Sequence, residues 1–415
     1  MAVKTGLILA GGGARAAYQV GVLRAVAGLL PPDTRQPFPI ITGTSAGAIN
    51  ALGLAGRSGS FRSRTRALSA VWASLDSEAV YRTDASAVVK NGLRIAWHMM
   101  RGNRKSKHPL ALLDNRPLRT LLEDIVQFSR IDDALAKGEL EGIGVTAMNY
   151  TNGRSTTFYQ GQAHIAPWTR AHRRSVSCQL DVDHLMASSA LPTLFPAVRL
   201  KQHYFGDGAL RQSRPLSPAI RMGADRLFII GVSESGDDFE PDQEAEVAPT
   251  IAQVLGQMLN AVFLDSTQTD LETLQRVNAL VSQLSARQLA DANLTNMRVI
   301  DTLTISPSRS LGELARDYIH ELPRSTRWFL ERTGSIKATG SGGALSYILF
   351  EPGYCQQLMQ LGFDDTMARA NDVRTFFDVD QPAGMRLAEK AQARSRPVSQ
   401  PSGLTERWLR LIGRA

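Results

Sequence analysis

The sequence predicts an α/β fold with a mainly parallel central sheet and added helices. Three observations carry this reading. Short apolar strand-like runs alternate with helix-like runs along most of the chain. Two glycine-rich turns, Gly11-Gly12-Gly13 and Gly43-Thr44-Ser45-Ala46-Gly47, each stand between a strand-like and a helix-like segment. The 415 residues, 43% hydrophobic and 21% charged, supply ample material for a large core.

The elements follow in order. Thr5 to Ala10 is an unbroken apolar run and predicts a buried strand. Ala16 to Leu30 carries Val20, Leu23, Val26 and Leu30 at helical spacing, and Pro31-Pro32 ends the helix. Phe38 to Thr42 predicts a second strand, which turns at Gly43–Gly47 into another helix. Gly142 to Asn149 and Thr156 to Tyr159 flank an Asn152-Gly153 hairpin signal. Leu227 to Val232 reads as a further strand. Residues 248–292 lack strand signals and read as helical. A last strand is expected over Arg298 to Ile305, and a helix around Cys355 to Leu361. The resulting organisation is one domain over residues 1–375, with a helical insertion at about 240–295. Residues 376–415 form a basic, Pro/Ser-rich linker and an amphipathic helix bearing Leu404, Trp408, Leu411 and Ile412.

Composition narrows the function classes. Two cysteines, Cys178 and Cys355, form neither a disulfide framework nor a CxxC pair, which points to a reducing compartment. The seven histidines are scattered, and no metal site is indicated. Arg15 breaks the N-terminal apolar stretch too early for a signal peptide. No apolar run reaches the ~18–20 residues needed to span a bilayer. A soluble, cytoplasmic protein with peripheral membrane contact is expected. Of the net charge of +8, Arg386 to Ala415 contributes seven basic residues against two glutamates. No helix-turn-helix, zinc-finger or aromatic-basic pattern accompanies it, so nucleic acid is not an expected partner. Trp97 and its apolar neighbours lie beside Arg94, Arg101, Arg104, Lys105 and Lys107, which suits either an anionic lipid interface or a core-covering helix with a solvated basic loop.

Gly11, Gly13 and Ala16 satisfy a GxGxxG/A dinucleotide pattern, with Asp33 as its acidic partner. Asp33, however, follows Pro31-Pro32 in a loop instead of closing a strand, and no Gly-Lys-Ser/Thr follows the glycines. Gly43-x-Ser45-x-Gly47 decides between the readings. A serine held at a sharp strand-to-helix turn between small residues is a nucleophile elbow, its hydroxyl lifted towards a helix N-terminus. A nucleophile needs donors for the developing oxyanion, and the N–H groups of Gly11, Gly12 and Gly13 can converge on one atom. Arg15 would fix or bias that loop; otherwise it is an ordinary surface arginine. A base must lie downstream. Asp207, between Gly206 and Gly208, is a candidate, although Asp-Gly is also a common turn dipeptide.

Taken together these motifs make the chain resemble the patatin-like phospholipase family, in its bacterial form. GGGxR is matched by Gly11 to Arg15, the elbow by Gly43 to Gly47, and the DGG/DGA motif by Asp207-Gly208-Ala209. "ASSALPTLFPAV", Ala187 to Val198, also resembles the block that precedes the family's aspartate. The resemblance implies a three-layer α/β/α fold and a serine acyl hydrolase without cofactor, acting on phospholipids or lysophospholipids. It implies a Ser45–Asp207 dyad and an acyl-enzyme, with an Asp207 pKa raised by burial. The mechanistic rival is a Ser-Asp-His triad, for which His320 is the one histidine after Asp207. A catalytically silent lipid- or protein-binding module is the rival of another class.

Overall fold

The computed structural model describes residues 3–82, 90–94, 97, 109, 111–233, 265–294, 297–323, 327 and 345–379. The chain divides into two compact units, Met1–Val373 and Arg374–Ala415. In the second, the Phe376 and Phe377 rings meet nearly edge-on at 5.3 Å.

The first unit is built on a ten-stranded sheet. Its strands are β1 (Thr5–Leu9), β2 (Ile40–Thr44), β3 (Gly142–Asn149), β4 (Arg154–Gly161), β5 (Thr169–Arg170), β6 (Arg173–Ser177), β7 (Val198–Leu200), β8 (His203–Asp207), β9 (Arg226–Ile230) and β10 (Asp301–Ile305). The order β10-β9-β1-β2-β3 is parallel throughout, and β4 returns antiparallel to β3. The α/β class and parallel centre expected from the sequence are therefore present, in a sheet that is mixed beyond β3. β2 begins at Ile40, two residues later than expected. Pro39 has no N–H for a ladder, and the Phe38 ring is spent on packing, at 5.7 Å from both Phe61 and Phe228.

Strand alternation divides the core into two faces. Ile8, Ile40, Leu227 and Ile229 point to one face, where Leu216, Ala219 and Met222 cover them with Leu271 from the helix Asp265–Val281. Phe228 points to the other face, which receives Phe61 of α3 (Phe61–Ala73). The same layer contains α1 (Ala17–Leu29), crossed closely by the helix Pro352–Ala368. A Cβ on Gly21 would lie 1.9 Å from Met359 O, and one on Gly362 would lie 2.2 Å from Tyr18 O. This helix is longer than the Cys355–Leu361 segment expected. Of the helical stretch at 248–292, residues 248–264 lie outside the described residues. The remainder forms the helices Asp265–Val281 and Ala286–Asp291. Asp270 there accepts the Leu216 N–H at 3.0 Å, tying that layer to the sheet connection.

One detail of register positions the site. β4 occupies one edge of β3 along its full length, while β2 pairs with the opposite edge only as far as Thr146. From Ala147 to Asn149 that edge is taken over by β8, running antiparallel. The carboxyl ends of β2 and β8 therefore meet head to head beside β3.

Candidate active site

Ser45 follows the last residue of β2 and caps α2 (Ala46–Ala55). Its backbone has φ 54° and ψ −131°, a left-handed conformation rare for a non-glycine residue. The small neighbours are sterically required. A Cβ at Gly43 would lie 2.5 Å from Gly47 O, and one at Gly47 would lie 2.3 Å from Leu9 O. α2 is thereby seated against the end of β1, directly beneath the glycine loop.

Asp207 ends β8 instead of sitting in an isolated Asp-Gly turn. Ser45 Oγ donates to its Oδ2 at 2.6 Å, and the Ala209 N–H donates to Oδ1 at 2.9 Å. The carboxyl is fully buried, and burial pushes its pKa up to about 7. The two hydrogen bonds, from Ser45 and Ala209, pull in the opposite direction without overcoming desolvation.

Gly11, Gly12 and Gly13 are buried between β1 and the 3-10 turn Gly13–Ala16. Gly12 caps that turn and accepts the Arg15 N–H at 3.1 Å. Gly13 has φ 54°, and a Cβ on it would lie 2.1 Å from Tyr347 O, so only glycine fits. Arg15 is not a surface residue: it is 4% exposed, donates from Nε to Ser346 Oγ at 2.8 Å, and lies 4.1 Å over the Tyr347 ring. A buried network holds the loop from below. Gln19 Nε2 donates to Ala10 O, Asn50 Nδ2 donates to Ala16 O and Gln19 Oε1, and Trp72 Nε1 donates to Asn50 Oδ1, all at 2.7–3.0 Å.

Ser188 was not singled out by the sequence, although it stands in the quoted "ASSALPTLFPAV" block. The Ser45 N–H donates to its Oγ at 2.8 Å, and that hydroxyl donates to Thr146 O at 2.6 Å. It thus secures the strained residue to β3. Gln212 also joins the elbow to β3: its Oε1 accepts from Thr44 Oγ1, and its Nε2 donates to Thr146 Oγ1 at 3.3 Å. Neither residue type advertises this role, which depends on the pairing of distant strands. His320 is exposed on a short 3-10 turn, with Nδ1 within 2.9 Å of Asp317 O. The structure gives it no contact with Ser45 or Asp207.

Ser45 and Gly13 line one narrow pocket of ≈ 40 Å³. Its walls are almost wholly apolar and include Trp72, Leu75, Leu118, Leu191, Phe195 and Phe350. Among the described residues no group of three or more His, Cys, Asp or Glu side chains gathers as metal ligands would.

Residues 7–220 match the family described as patatin-like phospholipase. The chain belongs to this family. The chain is also 28% identical, over 210 residues, to a protein of Pseudomonas aeruginosa (strain BWHPSA011 / Pa011) named cGAMP-activated phospholipase. That match covers 50% of the present chain and 53% of the relative, so the chain spans about half the length of the curated relative it matches. Among solved structures, human GIVD cytosolic phospholipase A2 aligns over 91% of this chain and 60% of its own, at 12% identity and a TM-score of 0.41. VipD from Legionella pneumophila aligns over 89% of this chain and 67% of its own, at 14% identity and a TM-score of 0.34.

Proposed function

We propose that this patatin-like protein is a serine acyl hydrolase that cleaves fatty-acyl esters of phospholipids or lysophospholipids. The observation that carries the reading is the 2.6 Å Ser45–Asp207 hydrogen bond, with Ser45 lining an apolar pocket. In this mechanism Ser45 Oγ attacks the acyl carbonyl as Asp207 accepts its proton. The C–O bond to the alcohol then breaks, and Asp207 returns the proton to the leaving oxygen. Asp207 next draws a proton from water, whose oxygen attacks the acyl-enzyme; the bond to Ser45 Oγ breaks as Asp207 hands it that proton, releasing the fatty acid and restoring the Ser45 hydroxyl. The Gly11–Gly13 loop supplies backbone N–H donors to the oxyanion in both halves; a single such donor is worth ~10²–10³ in rate. Arg15 acts indirectly, by holding that loop in place.

The wall chemistry supports an acyl chain, because a charged or strongly polar group would be desolvated there without partners. Contact with an anionic membrane is part of the same reading. Trp97 is 49% exposed, while most of the basic segment around it and the whole C-terminal tail lie outside the described residues. Among the described residues, no helix is long and apolar enough to cross a membrane. Liposome binding that ignores both anionic lipid content and removal of residues 386–415 would exclude the tail's part in this contact.

The test is labelling with a fluorophosphonate that carries an alkyl chain. Wild type is expected to be labelled, Ser45→Ala not at all, and Asp207→Asn at a rate lower by at least ~10². His320→Ala is expected to label normally; loss of labelling in that folded variant would restore the triad. No Ser45-dependent labelling in folded wild type would favour a silent binding module.

A further inference from the structure

A second cavity, of ≈ 610 Å³, lies between α1, α3 and the helix Pro352–Ala368. This volume falls within the range of about 300–1,000 Å³ usual for small-molecule sites. Three arginines line it, Arg24 from α1 and Arg62 and Arg66 from α3, and no acidic residue does. Arg62 Nε donates to Ala27 O at 3.2 Å, so this guanidinium sits against the C-terminal carbonyls of α1. Arg24 stands 5.9 Å over the Phe363 ring. Among the described residues, none of the three arginines forms an ion pair. Asp364, four residues after the lining Gln360, accepts from Gln360 Nε2 at 2.8 Å. Met359 and Phe363 add an apolar floor, and Ser69 contributes a buried hydroxyl with no partner among the described residues.

We propose that this groove is a binding site for a small phosphate-bearing anion, separate from the acyl pocket. Three arginines line one groove without a carboxylate, Arg24 and Arg66 exposed and Arg62 half-buried, so the groove is positively charged and an anion in it is attracted to all three. Their planar forks suit phosphate oxygens better than a point charge would. The apolar floor suits an organic group attached to the phosphate. Helix α3 separates this groove from the acyl pocket: Arg66, Ser69 and Ala73 face the first, and Val71 and Trp72 face the second.

The test is calorimetric titration of the full-length Ser45→Ala protein with inorganic pyrophosphate and with glycerol 3-phosphate, at ionic strength held constant with KCl. Saturable binding is expected for at least one probe. The double variant R24A/R66A should weaken it at least ~10-fold, while R154A/R199A, which loses the same charge from exposed positions elsewhere, should bind like the parent. Vesicles containing phosphatidic acid form a parallel arm. Sedimentation with them that depends on Arg24 and Arg66 assigns the phosphate to a lipid headgroup, and binding confined to the soluble probes assigns it to a free ester. Absence of binding in both arms, or equal weakening in the two double variants, overturns the proposal. Fluorophosphonate labelling of wild type is read separately, so failure of either idea leaves the other standing.

Discussion

At Asp207 the same burial that suits the proposed role of base is also a liability to the fold. Its pKa is raised from 3.8 to about 7, so the folded state holds this proton more tightly than the unfolded chain does. Stability contributed by the protonated group is therefore full below pH 3.8 and is lost as pH rises to about 7. The proposed activity runs the other way, because a general base works only when ionised. kcat/KM is expected to rise with pH through an apparent pKa near 7, and Asp207→Asn should remove that limb. The same variant should be more stable than wild type above pH 7, as measured by urea unfolding at pH 8. Ser188 gives a second test. Ser188→Ala strips partners from the Ser45 N–H and Thr146 O, and loosens a residue held at positive φ. A fall in kcat of roughly ten- to hundredfold is expected, with KM little changed. Steady-state kinetics on a short-chain ester would show this split.

The elements show how far pattern alone reaches. β1, β2 and the β3–β4 hairpin were legible because they are short apolar runs, buried almost throughout, and their turns carry glycine. Ser45 was legible because a strained elbow needs small flanking residues, which the sequence displays. β8 was not legible. "HYFGD" has little apolar character, and it is a strand because β2 vacates the edge of β3 at Thr146 and leaves backbone groups to be paired. The residues around Asp207 therefore announced a candidate base but not the strand that carries it. Arg15 was similarly ambiguous, since its partners Ser346 and Tyr347 lie more than 300 residues away. The close approach of α2 to β1 yields a prediction of its own. Gly47→Ala would place a methyl 2.3 Å from Leu9 O, where the obstacle is backbone and cannot swing aside. Destabilisation of about 1–3 kcal/mol or more is expected from the shift in urea midpoint. Leu54→Ala, a buried position on the same helix, provides a cavity-forming comparison.

For the whole molecule, the matched family segment ends at residue 220, yet the candidate site does not. β9, which pairs with β1, lies beyond that point, as do Ser346 and Tyr347 against the glycine loop and Phe350 in the acyl pocket. A chain ending at residue 343 retains Ser45, Asp207 and every glycine of the loop. It is nevertheless expected to lose Ser45-dependent labelling, because it lacks that wall and the helix that crosses α1. Comparing its labelling with that of the full chain tests this directly. The clasp on Gly13 also has a meaning in time. Ser45 leaves the ribosome 302 residues before Tyr347 (347 − 45). At ~5–20 residues per second, that interval lasts roughly 15–60 s. Throughout it a nascent chain carries its nucleophile without the segment that closes the loop above it. The proposed acyl hydrolase is thus expected to remain inactive until residues 346–347 have been made and packed against the loop.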